Sequence, residues 1–126
     1  MNKIMSLQDA VAGIENGSTV ALGGNVLHRA PMAAVREIAR QGKRDLKIIK
    51  TAGAMDVDLL CFAGCVSSVD AGFISYESKY GLAGHYRKAV QSGSIKGNEH
   101  ACYTVISALR AASVGVDFMP VKGLVN

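Results

Sequence analysis

The sequence predicts an α/β protein, an open, mostly parallel sheet with helices on both faces. Three observations predict it. Short aliphatic runs alternate with stretches of helical period, glycines punctuate nearly every junction, and after an opening helix the elements run β-α-β-α-β-α-α-β. That alternation suits parallel strands joined by right-handed crossovers.

The first helix starts at Ser6, which has capping-box spacing to Asp9, and Ile4, Leu7, Val11 and Ile14 recur at helical period before Asn16-Gly17 ends it. Thr19 to Leu22 reads as a short apolar strand that breaks at Gly23-Gly24. Pro31 suits the first position of the next helix, where its missing N–H costs nothing, and Met32, Val35, Ile38 and Ala39 form the inner stripe. Glu37 falls on the polar face of that helix and is expected in solvent, with Gly42 as the C-terminal cap.

Leu46 to Ile49 is the second strand, and Thr51-Ala52-Gly53-Ala54 is the expected turn after it. Asp56 can cap a third helix, Val57 to Ala63, which Gly64 stops. Cys65 to Ile74 holds the third strand, ending near Ser75. A polar loop from Tyr76 to Gly84 then leads to a helix around Tyr86 to Ser92. Ala101 to Val114 is a strong helix, with Val105, Ile106, Leu109 and Ala112 expected inward and Gly115 as its stop. Phe118 to Val121 reads as the start of one more strand. No helix follows to close the sheet, which predicts a partial chain or a subunit completed by another.

Composition narrows the function. At 126 residues the chain is the size of one domain, and 49% hydrophobic against 19% charged residues excludes disorder. The net charge of +4 is spread out, without aromatic-basic interleaving, which fits an anionic small ligand better than nucleic acid. Cys61, Cys65 and Cys102 form neither an even disulfide framework nor a Cys-x-x-Cys motif and read as reduced thiols. The N-terminus lacks a signal-peptide core, and no apolar run approaches the ~18 residues of a membrane helix, so a cytoplasmic protein is expected. No histidine pair has metal-ligand spacing, and no metal site is expected.

In open α/β sheets ligands bind beyond the carboxyl ends of the strands. That rule selects Gly23-Gly24-Asn25, Thr51-Ala52-Gly53, Ser75-Tyr76-Glu77 and the stretch near Lys122. Amides at the glycine pair could face a phosphate or an oxyanion; a turn needing positive φ explains the pair equally well. Neither a dinucleotide fingerprint nor a Walker loop is present. Arg29 can pair with a carboxylate or phosphate and His28 can orient an acyl group, although both also suit solvent or capping contacts at a helix entrance. His85 is expected at the surface, and Glu99-His100 at a helix start. Glu77 is the best-placed acid, as base, nucleophile or ion-pair partner of Lys79 or Arg29.

Together these pieces resemble a family. Asn-Gly-Ser-Thr-Val-Ala-Leu-Gly-Gly at Asn16 to Gly24, Arg29-Ala30-Pro31, and Arg36-Glu37-Ile38-Ala39-Arg40-Gln41-Gly42 resemble the A (alpha) subunits of family I coenzyme A transferases, the glutaconate CoA-transferase branch in particular. Asp58-Leu59-Leu60 before Gly64-Cys65-Val66, Tyr86 to Val90 with Gly93, and Leu109 to Ala112 leading to Gly115 and Phe118-Met119-Pro120 extend the likeness along the chain, which matches the N-terminal half of such subunits. Two positions depart from the family: Asn25 stands where phenylalanine is usual, and Arg29 where glycine is frequent.

The resemblance implies transfer of coenzyme A between an acyl-CoA and a carboxylic acid. It implies a glutamate nucleophile in an E-x-G segment of a partner B subunit, and acyl-CoA as substrate rather than a resident cofactor. Glu15-Asn16-Gly17 has the E-x-G shape but precedes the first strand, and Glu77 lacks the glycine, so neither inherits the role. Gly23, Gly24, Asn25, His28, Arg29, Ser75 and Glu77 are the expected substrate-binding residues, with no catalytic residue in this chain. Related readings are a CoA-thioester hydrolase or ring-opening enzyme of the same family, and a binding domain without turnover.

Overall fold

Four parallel strands in the order β1-β2-β3-β4 form the sheet of the computed structural model, which describes residues 4–122. They are β1 (Thr19–Ala21), β2 (Leu46–Gly53), β3 (Val66–Ile74) and β4 (Lys96–Glu99). The helices are α1 (Leu7–Ala12), α2 (Met32–Arg40), α3 (Met55–Phe62), α4 (Glu77–Tyr80), α5 (Gly84–Gln91) and α6 (Cys102–Ser113).

Strand alternation sorts the side chains between two faces. Along β2, Leu46, Ile48, Lys50 and Ala52 point to one side and are buried. The register pairs Val20 with Ile48 and Ile48 with Val69, so the same side continues across the sheet. Val35 and Ile38 of α2, Val57 and Leu60 of α3, and partly Tyr86 and Ala89 of α5 fill this layer, with Val11 of α1 at its margin. Each fully buried aliphatic side chain contributes roughly 1.5–3 kcal/mol of transfer free energy. The stripe expected on α2 is therefore in place, and Ser6 caps α1 by accepting from the Asp9 N–H at 3.0 Å.

The opposite face carries Thr19, Lys47, Ile49 and Asp70, and among the described elements α6 alone lies over it. Gly72 lets that helix approach, because a Cβ there would come within 2.5 Å of the Cys102 backbone nitrogen. The predicted arrangement of helices on both faces is observed.

Several elements differ from expectation. Thr51-Ala52-Gly53 is strand, because β3 pairs with β2 as far as Gly53↔Ile74. Helix α3 starts at Met55, and Asp56 serves its first turn from inside the helix. Glu37 is 3% exposed and bonded to the side chains of Arg40 and Gln41, so it is a buried acceptor and not a solvated one. The loop after β3 contains the short α4. Strand β4, Lys-Gly-Asn-Glu, has little β-propensity and forms because β3 offers it an edge from Ser68 to Ala71. Phe118 to Val121 forms no strand among the described residues.

On α6 the buried residues are Val105, Ser107 and Ala111, whereas Ile106, Leu109 and Ala112 are exposed. Leu109 and Ala112 line, with Val105, an open cavity beside Thr19, Lys47 and Ile49, where the helix covers the sheet face only in part. Val105→Ala should therefore cost about 2 kcal/mol, and Ile106→Ala no more than about 0.5 kcal/mol, in denaturant unfolding.

Candidate functional site

The strand-end turn after β1 is built around Gly24. Its φ is +83°, and a Cβ there would lie 2.5 Å from the Arg29 carbonyl oxygen and 2.6 Å from its carbon. Both the backbone conformation and the space demand glycine. Gly23 has neither constraint, since nothing lies within 4 Å of a Cβ placed there.

Beyond the glycines the chain closes on itself through two backbone hydrogen bonds, Asn25 N–H to His28 carbonyl at 2.9 Å and His28 N–H to Asn25 carbonyl at 2.8 Å. Val26 at the tip is buried, and its N–H donates to the Ala52 carbonyl at 2.9 Å, which ties the turn to the end of β2. Asn25, His28 and Arg29 keep their side chains exposed around it.

Backbone strain concentrates here. The non-glycine residues with left-handed φ among the described residues are Val26 at 49°, Arg29 at 57°, Asp45 at 58° and Glu77 at 71°. Three of them border the carboxyl ends of β1 and β3, and a β-branched valine is among the residues least suited to that region. Such conformations cost of order 1–3 kcal/mol each and persist where surrounding contacts over-determine them, often at functional sites.

Glu77 follows the end of β3 and brings its Oε1 to 3.8 Å from His28 Nε2, so the acid faces the histidine of the turn and not Arg29. Ser75 is near them in sequence but differently employed. Its N–H donates to the Gly53 carbonyl at 2.9 Å and its Oγ to the Gly81 carbonyl at 3.1 Å, anchoring the loop that carries Glu77. His85 packs against Phe62 in a tilted arrangement, with ring centroids 4.7 Å apart. His100 lies 3.0 Å from the Asp70 carboxylate, over the face that α6 covers.

Beneath the strand ends lie Lys50, Asp56 and Asp58, none of which the sequence marks as part of a site, although Asp56 reads as a helix cap. Lys50 and Asp56 have fully buried side chains, with Nζ 2.9 Å from Oδ2. Lys50 Nζ also donates to the Gly23 carbonyl. Asp56 Oδ1 accepts the N–H groups of Ala54 and Val57, each at 2.9 Å. Asp56 Oδ2 has no aligned hydrogen bond, and the adjacent ammonium compensates its charge. Asp58, 5% exposed, accepts from Tyr76 Oη at 2.9 Å and from the Tyr86 N–H at 2.8 Å, joining α3 to the β3 loop and to the first turn of α5. Lysine at an inward position of an apolar strand was the signal available for the first pair.

Burial, and then the Asp58 carboxylate as acceptor and charge, push the Tyr76 phenol up to about 12. Burial, then the charges of Asp58 and Cys65, push the Cys61 thiol up to about 12. Both groups stay protonated across the neutral range. Among the described residues no group of three His, Cys, Asp or Glu is placed to hold a metal ion, and no helix is long and apolar enough to cross a membrane. A cavity of about 890 Å³ lies at the β3–β4 edge, lined by Asp70, Gly72, Phe73, Tyr86, Asn98 and His100. It involves none of the strained residues at the ends of β1 and β3.

Fold and strand-end turn together define an α/β protein with its candidate binding surface at the carboxyl edge of a parallel sheet. The coenzyme A transferase family profile matches residues 4–122. The chain is 36% identical over 121 residues to the IpdA subunit of a cholesterol ring-cleaving hydrolase from Rhodococcus jostii, covering 96% of this chain and 40% of that one. It is 32% identical over 122 residues to the A (alpha) subunit of the glutaconate CoA-transferase from Acidaminococcus fermentans, covering 96% and 38% respectively. The crystal structure of that organism's glutaconate coenzyme A-transferase superposes with a TM-score of 0.90 at 31% identity, over 99% of this chain and 39% of that chain. The chain belongs to the coenzyme A transferase family, resembles the alpha subunits of the glutaconate type, and spans about two-fifths of the length of these relatives.

Two outcomes follow from the geometry. Gly24→Ala should lower unfolding free energy by at least about 1 kcal/mol, against less than about 0.5 kcal/mol for Gly23→Ala, because only the former forces a backbone clash at positive φ. The second concerns alkaline pH. The Tyr76 phenol titrates near 10 when unfolded and at about 12 when folded, so its contribution is whole below pH 10 and is lost as pH rises towards 12. Tyr76→Phe should flatten that part of the stability profile, measured by thermal unfolding between pH 9 and about 12, and cost about 1 kcal/mol at neutral pH through the lost bond to Asp58.

Proposed function

We propose that this chain acts as the A-side component of a CoA-transferase that moves coenzyme A between an acyl-CoA and a carboxylic acid. A B subunit supplies the glutamate nucleophile. The observation that carries the reading is the placement of the Gly23 to Arg29 motif at the carboxyl end of β1, in a strained turn that only Gly24 permits, in a chain of this family.

The sheet's connectivity supports the same location. Helices α2, α3 and α5 pack on one face while the chain advances from β1 to β4, and α6 lies on the other. A parallel strand entered through α6 with the usual right hand would fall beside the free edge of β1. The strand order would then reverse at β1, and its carboxyl end is where an open sheet offers a ligand crevice.

The turn is exposed and does not exclude water by itself, which an acyl transfer requires. A facing subunit would complete the walls. Asn25, His28 and Arg29 would meet the acyl or carboxylate group, Glu77 would hold His28, and the Gly23–Gly24 backbone would approach the thioester carbonyl. In this reading the nucleophile comes from the partner, in keeping with Glu15 at the amino end of β1, across the sheet, and with Glu77 facing His28. The unpaired thiols of Cys61, Cys65 and Cys102 fit a cytoplasmic setting.

Relatives named for glutaconate and 3-oxoadipate suggest dicarboxylic acyl groups as first substrates. The chain co-expressed with a B-like subunit should exchange CoA between acetyl-CoA and glutaconate, or between succinyl-CoA and 3-oxoadipate. Borohydride added during turnover, followed by peptide mass analysis, should find one reduced glutamate on the partner chain. Free CoA release with no modified glutamate would replace transfer by hydrolysis, the activity named for the Rhodococcus relative.

A further inference from the structure

A charged lysine in the core beneath a strand-end turn needs a reason, because a buried ammonium is costly unless it is paired and hydrogen-bonded. Lys50 is 1% exposed and shares its row with Leu46, Ile48 and Ala52. Its ammonium has two partners, the Asp56 carboxylate at 2.9 Å and the Gly23 carbonyl. Asp56 is itself fixed at the first turn of α3, where the N–H groups of Ala54 and Val57 and the helix dipole hold an anion. Lysine and aspartate thus connect the start of α3, the end of β2 and the turn after β1.

We infer that Lys50 and Asp56 are a buried positioning pair that aims the Gly24 N–H into the crevice, where it donates to the oxygen of the acyl-CoA carbonyl as negative charge develops on it. The inference rests on the functional reading above. The described chain has no cis peptide bond, and a trans peptide directs its C=O and N–H to opposite sides. Holding the Gly23 carbonyl down on Lys50 therefore turns the Gly24 N–H outward. Among the described residues nothing accepts a hydrogen bond from that N–H. A peptide hydrogen-bonded at its carbonyl is polarised and donates more strongly through its nitrogen. Gly24 then does two things. It takes a positive φ and leaves room for the Arg29 backbone, and it presents a donor that needs no reorganisation during reaction. Lys50 touches no substrate and acts through the peptide.

The test uses the complex of this chain with its co-expressed B-like partner. Lys50→Met combined with Asp56→Asn removes both charges together, and the asparagine oxygen still accepts from Ala54 and Val57, so no unpaired buried charge remains. Thermal unfolding of the variant should stay cooperative. With acetyl-CoA and glutaconate, and with succinyl-CoA and 3-oxoadipate, kcat should fall about 100-fold, the scale of losing one oxyanion donor, while KM for the acyl-CoA changes less than about threefold. Hydrogen exchange at Val26, whose N–H bonds to Ala52, should become faster as the turn loosens.

Lys50→Gln with Asp56→Asn keeps a neutral donor beneath the turn and should give an intermediate kcat. It replaces the first variant in the comparison if that one loses cooperative unfolding. A kcat within twofold of wild type in the variant compared overturns the inference. If the wild-type complex transfers no CoA with either pair, the functional reading fails separately. Exchange then decides, and unchanged protection at Val26 overturns the role of Lys50.

Discussion

The buried ammonium of Lys50 must be neutralised and hydrogen-bonded within a layer otherwise filled by aliphatic side chains, and the structure around the strand ends is arranged to do so. Asp56 meets the first need and the Gly23 carbonyl the second. Meeting both sets the distance between the turn after β1 and the start of α3. The Val26 N–H bond to the Ala52 carbonyl ties the same turn to β2. A hydrophobic residue at Lys50 would fill similar volume but leave the Gly23 carbonyl and the Asp56 carboxylate without their cation.

Around this anchor, left-handed backbone occurs both in the buried Val26 and in the exposed Arg29 and Glu77. Val26 is buried and its N–H is tied to the Ala52 carbonyl, whereas Gly24 holds its positive φ at the surface against the Arg29 backbone. Asn25, His28, Arg29 and Glu77 stand exposed above, free to meet a ligand or a facing chain. Asp58 performs the equivalent task on the other side of α3, holding Tyr76 and the first turn of α5. Two neighbouring carboxylates on one helical turn thus serve opposite sides, one with a lysine and one with a phenol and an amide.

The order of elements from α1 to α5 was legible, apart from the short α4, because aliphatic runs, helical stripes and glycine stops agree along that part of the chain. Ser6 and Asp9, the Val35–Ile38 stripe and the Gly23-Gly24 break are local patterns with local causes, and they stand where the sequence placed them. The extent of β2 and the existence of β4 were not legible, because pairing with β3 decides both and Lys-Gly-Asn-Glu carries no strand signal of its own. The inward face of α6 was missed for a related reason. Leu109 and Ile106 look like core by periodicity, but the helix lies over a sheet face that it covers only in part.

The α/β class, the family likeness and the strand-end location of the candidate site were already written in the amino-acid order, since each rests on residue type and spacing near one point in the chain. Folding in three dimensions was needed to decide that Gly24 and not Gly23 is indispensable, that Glu77 faces His28, and that Lys50 and Asp56 underlie the turn. Those relations join residues up to 49 positions apart, and a backbone clash, an ion pair or a buried charge exists only once the fold has brought its partners together.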